Sequence, residues 1–481
     1  MHHKDDGAKQ MNLKIAGYRV FPTFVGLILP LVLLALIGNN GRLVADGYCN
    51  CAALIQGGNN PLRLMSALYE TWSGEAYSQL IQAAFAWWPA INLGQGWGVA
   101  ISLCTVFLVM SFVIKELVVL FSKDLSPRTV RLTSNILAFS LVVSLIAPAA
   151  LPIWEGYEFL TQQSFVAQVF MRYPGLVALA AGNWLLVGLS LAIFRRFDTK
   201  GLAYNLTLAL LAFLAGLSNY SFTGFFGFLI IGLALAARSG NQNDRVKTLL
   251  RRAAVPLTGL IIGFLISYFS PGAAIRKSVI FDGTRERTVL DWIRNGSADA
   301  VWAFATPFTF SGLAMFGIAI SLGYILIRNN PNASFRFFPK PAIWLGGICA
   351  LALVTALPSL ISYSAAWHTV FPRSAILLAI TLWGLQVGSF LHWRTKFSGR
   401  SPLTSIHKVL SLAMVSGLVA MSVGWTSSLP AEWGAGDLPI QPVKSGWGKS
   451  IYMSDTEVPE WKDCYMLIEK NLREKKVGPG F

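Results

Sequence analysis

The sequence predicts an all-α integral membrane protein with about eleven transmembrane helices, and three observations predict it. Apolar residues make up 54% of the 481-residue chain and charged residues 13%, where a soluble protein carries about a quarter charged. The apolar residues gather in repeated blocks near ~20 residues, the length that crosses a bilayer core, and mean hydropathy is +0.54. The net charge of +16 falls mostly where positive-inside bias and anionic lipid account for it. Nucleic acid is therefore not an expected partner.

The spans are expected at 20–38, 98–121, 130–152, 175–194, 202–218, 221–238, 254–269, 301–327, 341–363, 370–391 and 406–425. The first follows Lys4, Lys9, Lys14 and Arg19 and ends at Gly38-Asn39-Asn40, which offers no small-residue cleavage site. It reads as a retained first span with a cytoplasmic N-terminus. The connections near 122–129, 195–201, 239–253, 328–340 and 392–405, with the N-terminus, hold most of the 39 Lys and Arg. These connections are short, and their charges are read as orienting the spans. The chain divides into a polytopic domain, 1–426, and an outer tail, 427–481, too short to build its own core and expected to pack on the outer loops.

Chemistry should sit at the outer face. The first outer loop, 39–97, carries Asp46-Gly47-Tyr48, then two amphipathic runs separated by Trp72-Ser73-Gly74. Their apolar stripes, Leu64, Leu68, Trp72 and Leu80, Ala84, Trp88, would lie in the membrane interface. Asp46 is the leading candidate for chemistry, since an acid at that depth needs solvent or a partner to stay charged; a helix-end cap is the plain alternative.

Ser270-Pro271-Gly272 ends the seventh span and leads to Arg276 and Lys277. Positive charge in an outer loop runs against the insertion bias, so a phosphate ligand is expected there, with pairing to Asp282, Glu286 and Asp291 as the alternative. Arg373, just after Pro372, is a second phosphate contact. Tyr48, Trp72, Glu155, Glu158, Asn219, Tyr220, Tyr268 and His368 are the remaining candidate pocket residues. Glu155 and Glu158, one helical turn apart, could hold a divalent metal or remain a solvated loop. The cysteines have no metal-ligand spacing, Cys49-x-Cys51 being too short for a CxxC site. Walker A, GxSxG and HExxH motifs are absent from the sequence.

On these residues the layout resembles the GT-C superfamily of multi-pass glycosyltransferases, in which an acid of the first outer loop is the proposed base and that loop forms two membrane-surface helices. It is similar, more narrowly, to the bacterial branch that includes pilin arabinofuranosyltransferases. The pieces here read Asp46-Gly47-Tyr48, Trp72-Ser73-Gly74-Glu75 and Ser270-Pro271-Gly272-Ala273-Ala274-Ile275-Arg276. Glu75 stands where that branch has arginine, and Ala273 where it has asparagine. The resemblance implies transfer of a sugar from a polyprenyl-phosphate donor to a glycan, protein or lipid hydroxyl in the cell envelope. Asp46 would be the base and Arg276, Lys277 and Arg373 the phosphate ligands, at the periplasmic side of a bacterial inner membrane. No cofactor is expected. The alternatives are a lipid-linked sugar flippase and a catalytically decayed membrane scaffold.

Overall fold

The computed structural model describes residues 24–39, 46–71, 74–93, 95–146, 174–197, 201–236, 245–275, 309–330, 333–335, 347, 370–397 and 404–432. These residues are all-helical apart from one two-residue antiparallel pair, β1 (Ser122–Lys123) with β2 (Ser334–Phe335). A π-helical turn, Phe24–Ile28, leads into α1 (Leu29–Asn39). The first loop holds α2 (Asp46–Gln56), α3 (Pro61–Thr71), α4 (Ala76–Gln82), a π-turn at Ala83–Trp87, and α5 (Trp88–Leu93). The bundle continues with α6 (Gln95–Phe121), α7 (Pro127–Ile146), α8 (Pro174–Arg196), α9 (Leu202–Gly216) and α10 (Tyr220–Ala236). It is completed by α11 (Arg245–Tyr268), α12 (Phe310–Asn329), α13 (Val370–Phe397) and α14 (Thr404–Glu432).

Five helices among the described residues, α6, α7, α8, α12 and α13, are long and apolar enough to cross a membrane. Five shorter apolar stretches lie in α1, α9, α10, α11 and α14. All ten overlap expected intervals, and the 341–363 interval falls outside the described residues apart from residue 347. Two boundaries move. Thr309 caps α12, its Oγ1 accepting from the Gly312 amide at 3.1 Å, so that helix starts later than residue 301. The last helix runs to Glu432, past the expected domain boundary at 426.

Side chains with exposed apolar surface, such as Leu202, Leu206, Leu210, Ile261 and Phe228, sit on these helices next to buried neighbours. Among apolar surroundings packing comes from close approach of small residues. Gly259-x-x-x-Gly263 of α11 lies on the backbone of Ala209 and Phe213 in α9, and Gly384-x-x-x-Gly388 of α13 lies on Phe316 and Ile320 in α12. At the first crossing, Gly38 of α1 meets the Ala100 backbone of α6. The main core is built around Phe107, Met110, Leu141, Leu145 and Trp184.

The first outer loop differs from its expected form in two ways. A helix, α2, precedes the two expected, and it turns into α3 through Gly58 (φ 72) and Asn59 (φ 59), the left-handed conformation in which glycine and asparagine end helices. The buried stripe of the second run is Gln79, Ala83, Ala86, Trp87 and Ala90, while Trp88 is exposed and Leu80 and Ala84 are half-buried. The physical reason is that this run packs on protein. Gly98 of α6 lies against Ala86 and Ala90, and Gly175 and Gly182 of α8 lie against Gln82, Trp87 and Ile81. Ala83, Ala86 and Ala90 therefore face inward beside Trp87, and Phe85 and Trp88 face out.

The charges at the opposite end also do more than orient spans. Glu116, fully buried, is gripped by Arg195, whose Nε and Nη2 both reach Oε2 at 2.8 Å. Lys115 and Arg196 stand 3.6 Å and 3.7 Å from Oε1.

Candidate functional site

At one end of the bundle, the first loop is clamped to three other segments. Gly74 is buried with no room for a side chain, since a Cβ there would collide with the Ser267 carbonyl and the Ser270 hydroxyl. The Tyr69 hydroxyl donates to the Ile266 carbonyl at 3.4 Å. Two sequence elements nearly 200 positions apart, Trp72-Ser73-Gly74-Glu75 and Ser270-Pro271-Gly272, are thereby joined at Gly74 and Ser270. Ser270 is spent locally, its Oγ donating to the Ser267 carbonyl at 2.9 Å and accepting from the Ala273 amide at 3.1 Å. That caps the helical turn 271–275, which precedes Arg276 in the sequence.

The second contact is with the turn between α9 and α10. The Tyr77 amide donates to the Leu217 carbonyl at 3.1 Å. Ser78 Oγ lies 3.2 Å from Ser218 Oγ, which donates to Asn183 Oδ1 at 2.8 Å. The third contact is with α8, where the Tyr77 hydroxyl donates to the Gly182 carbonyl at 2.8 Å. Burial raises the Tyr77 phenol well above its ordinary pKa, so it stays neutral and serves as a donor.

Arg373 lies in the first turn of α13, 9% exposed, with its Nε and Nη2 buried and without a hydrogen-bond partner among the described residues. Its neighbour Ser374 accepts from Trp184 Nε1 at 2.7 Å and donates to the Phe371 carbonyl at 2.7 Å. Trp184 also lies on Phe371, ring centroids 4.9 Å apart. Trp184 and Asn183 are successive residues of α8, so one helix carries both the contact to the start of α13 and the end of the Ser78–Ser218–Asn183 chain. Asn183 is fully buried and its Nδ2 has no hydrogen-bond partner.

Of the residues singled out in the sequence, Tyr220 and Tyr268 are brought together, ring centroids 6.4 Å apart, with Phe264 packed 5.7 Å and 5.6 Å from each. Asn219 serves as a cap, its Oδ1 accepting from the Phe222 amide at 2.9 Å. Asp46 opens α2 and Tyr48 lies in its first turn, both described in backbone only. That helix is anchored by Cys51 and Leu54, which pack with Leu64, Trp87, Ile91 and Ala178. Trp72, Glu155, Glu158, Arg276, Lys277 and His368 lie outside the described residues. Among the described residues no three His, Cys, Asp or Glu side chains gather as a metal set. The sequence reading passed over Ser78, Asn183, Trp184 and Ser218; an amide inside an apolar span, as at Asn183, was the available signal.

No family model, curated protein or solved structure matches this chain.

Proposed function

We propose that the chain is an inverting glycosyltransferase of GT-C architecture, with eleven spans, acting at the periplasmic face of a bacterial inner membrane. Its donor is a polyprenyl-phosphate sugar, arabinofuranose being the sugar the resemblance names, and its acceptor is a hydroxyl of a glycan, protein or lipid. The observation that carries this reading is the buried guanidinium of Arg373, without hydrogen-bond partners at Nε and Nη2. A cation held out of water and unpaired costs several kcal/mol. A site that keeps one is built for an anion arriving with the substrate, and a phosphodiester on a lipid is such an anion. The seam between Gly74 and Ser270 supports the same reading, because it ties the loop that carries Asp46 to the turn that leads toward Arg276.

In this reaction Asp46 takes the proton of the acceptor hydroxyl as its oxygen bonds to the anomeric carbon. The bond from that carbon to the phosphate oxygen breaks, and its electron pair leaves with polyprenyl phosphate. Arg373, with Arg276 and Lys277, holds the charge that develops there. Three cations suffice for that charge, so turnover is expected to persist in a chelator.

The test is turnover of a polyprenyl-phosphoryl arabinofuranose by the purified protein in lipid, with and without Arg373→Ala. Loss of charged hydrogen bonds worth ~1.5–3 kcal/mol should weaken donor binding about ten- to hundredfold. Movement of the lipid across vesicles with no new glycosidic bond would instead identify a flippase. Unchanged donor affinity in the variant would remove Arg373 from the site.

A further inference from the structure

The end of the bundle opposite the proposed active site carries a cluster that the transferase reading leaves unused. Glu116 of α6 is buried, and three cations surround it: Lys115 from the same helix and Arg195 and Arg196 from the last turn of α8. One carboxylate against three cations leaves two positive charges in surplus. The cations are not equivalent. Arg195 commits Nε and Nη2 to one carboxylate oxygen. Lys115 and Arg196 stop 3.6 Å and 3.7 Å from the other, beyond hydrogen-bond reach, and that Oε1 has no hydrogen-bond partner.

Their side chains are 38% and 58% exposed, so both are open to a further ligand. Directly after Arg196 comes Phe197, an apolar ring 49% exposed. A pair of cations pre-set by a buried acid, with an apolar surface alongside, matches the parts of a phospholipid. A phosphate would reach Lys115 and Arg196, and an acyl chain would run along Phe197.

We infer that Lys115 and Arg196, held by Glu116 and Arg195, form a binding site for the phosphate of an anionic phospholipid in the leaflet at that end of the bundle. The site does not depend on the transferase activity. Glu116 keeps Arg195 from competing for the phosphate and fixes where the other two cations stand. Zwitterionic phosphatidylcholine carries its own ammonium and gains less from the surplus charge.

The experiment is native mass spectrometry of the full-length protein, titrated with phosphatidylglycerol or with phosphatidylcholine of the same chains. Wild type should show one high-affinity phosphatidylglycerol that phosphatidylcholine does not replace. In K115A/R196A that site should weaken roughly thirtyfold, following two basic residues near a lipid surface. K115R/R196K, which keeps both charges, should retain it. Equal affinity of wild type for the two lipids overturns the inference, as does a phosphatidylglycerol site untouched in K115A/R196A. Displacement of the lipid by equimolar inorganic phosphate would mean a soluble-phosphate site and overturns the lipid assignment.

Discussion

Arg373 and Tyr77 show two outcomes of burying a polar side chain in this bundle. Arg373 keeps Nε and Nη2 without hydrogen-bond partners among the described residues, which is the basis for proposing it as a phosphate ligand. Tyr77 is satisfied by the Gly182 carbonyl, and burial raises its pKa from an ordinary 10.0. The folded protein therefore holds the phenolic proton more tightly than the unfolded chain. That stability is complete below pH ~10 and is lost as pH rises above it. Tyr77→Phe should cost about 1 kcal/mol near neutral pH, and should show less destabilisation than wild type as pH rises from 9 to 11, measured by thermal unfolding. Asp46→Asn should fold and bind donor yet lose transfer by ~10²–10⁴, the usual effect of removing a general base. A near wild-type rate would end its role. Arg373 stood out in the sequence as a cation directly after Pro372. Asn183 did not, because an amide inside an apolar span carries no charge.

At the scale of elements, the first loop was legible as two amphipathic runs and the bundle as apolar blocks. What the sequence hid was direction and one helix. Asp46-Gly47-Tyr48-Cys49-Asn50-Cys51 has weak intrinsic helix preference, yet it forms the first half of α2 because Cys51 and Leu54 are buried against Leu64 and Trp87. The stripe of the second run was read through the large residues Leu80 and Trp88. Close packing instead selected the small ones, Ala83, Ala86 and Ala90. The glycine pairs at 259 and 263 and at 384 and 388 were a readable signal for the helix crossings. The Gly74 contact yields a prediction at this scale. Gly74→Val must push the first loop off Ser267 and Ser270. Turnover should fall at least tenfold, while overpacking at one loop contact costs ~1–3 kcal/mol of stability. Equal turnover in wild type and variant would mean that the seam does not position the site.

For the whole molecule, the order of helices brings α8, the turn between α9 and α10, and the end of α11 against the first loop, through Gly182, Ser218 and Ser267, while α13 joins α8 through the pair Trp184–Ser374. The ends of α6 and α8 on the far side meet at Glu116 instead. The molecule thus has a polar seam under its first loop and a basic clamp at its other end. The central claim is that the acid heading α2 and the cation heading α13 serve one pocket for a lipid phosphate. Electron cryomicroscopy of the protein with a bound polyprenyl-phosphoryl sugar tests it most directly. The account predicts density for the phosphate within ~3 Å of the Arg373 guanidinium, with the sugar between that phosphate and Asp46. A phosphate seated elsewhere on the bundle, with Arg373 paired to a protein carboxylate, would contradict it.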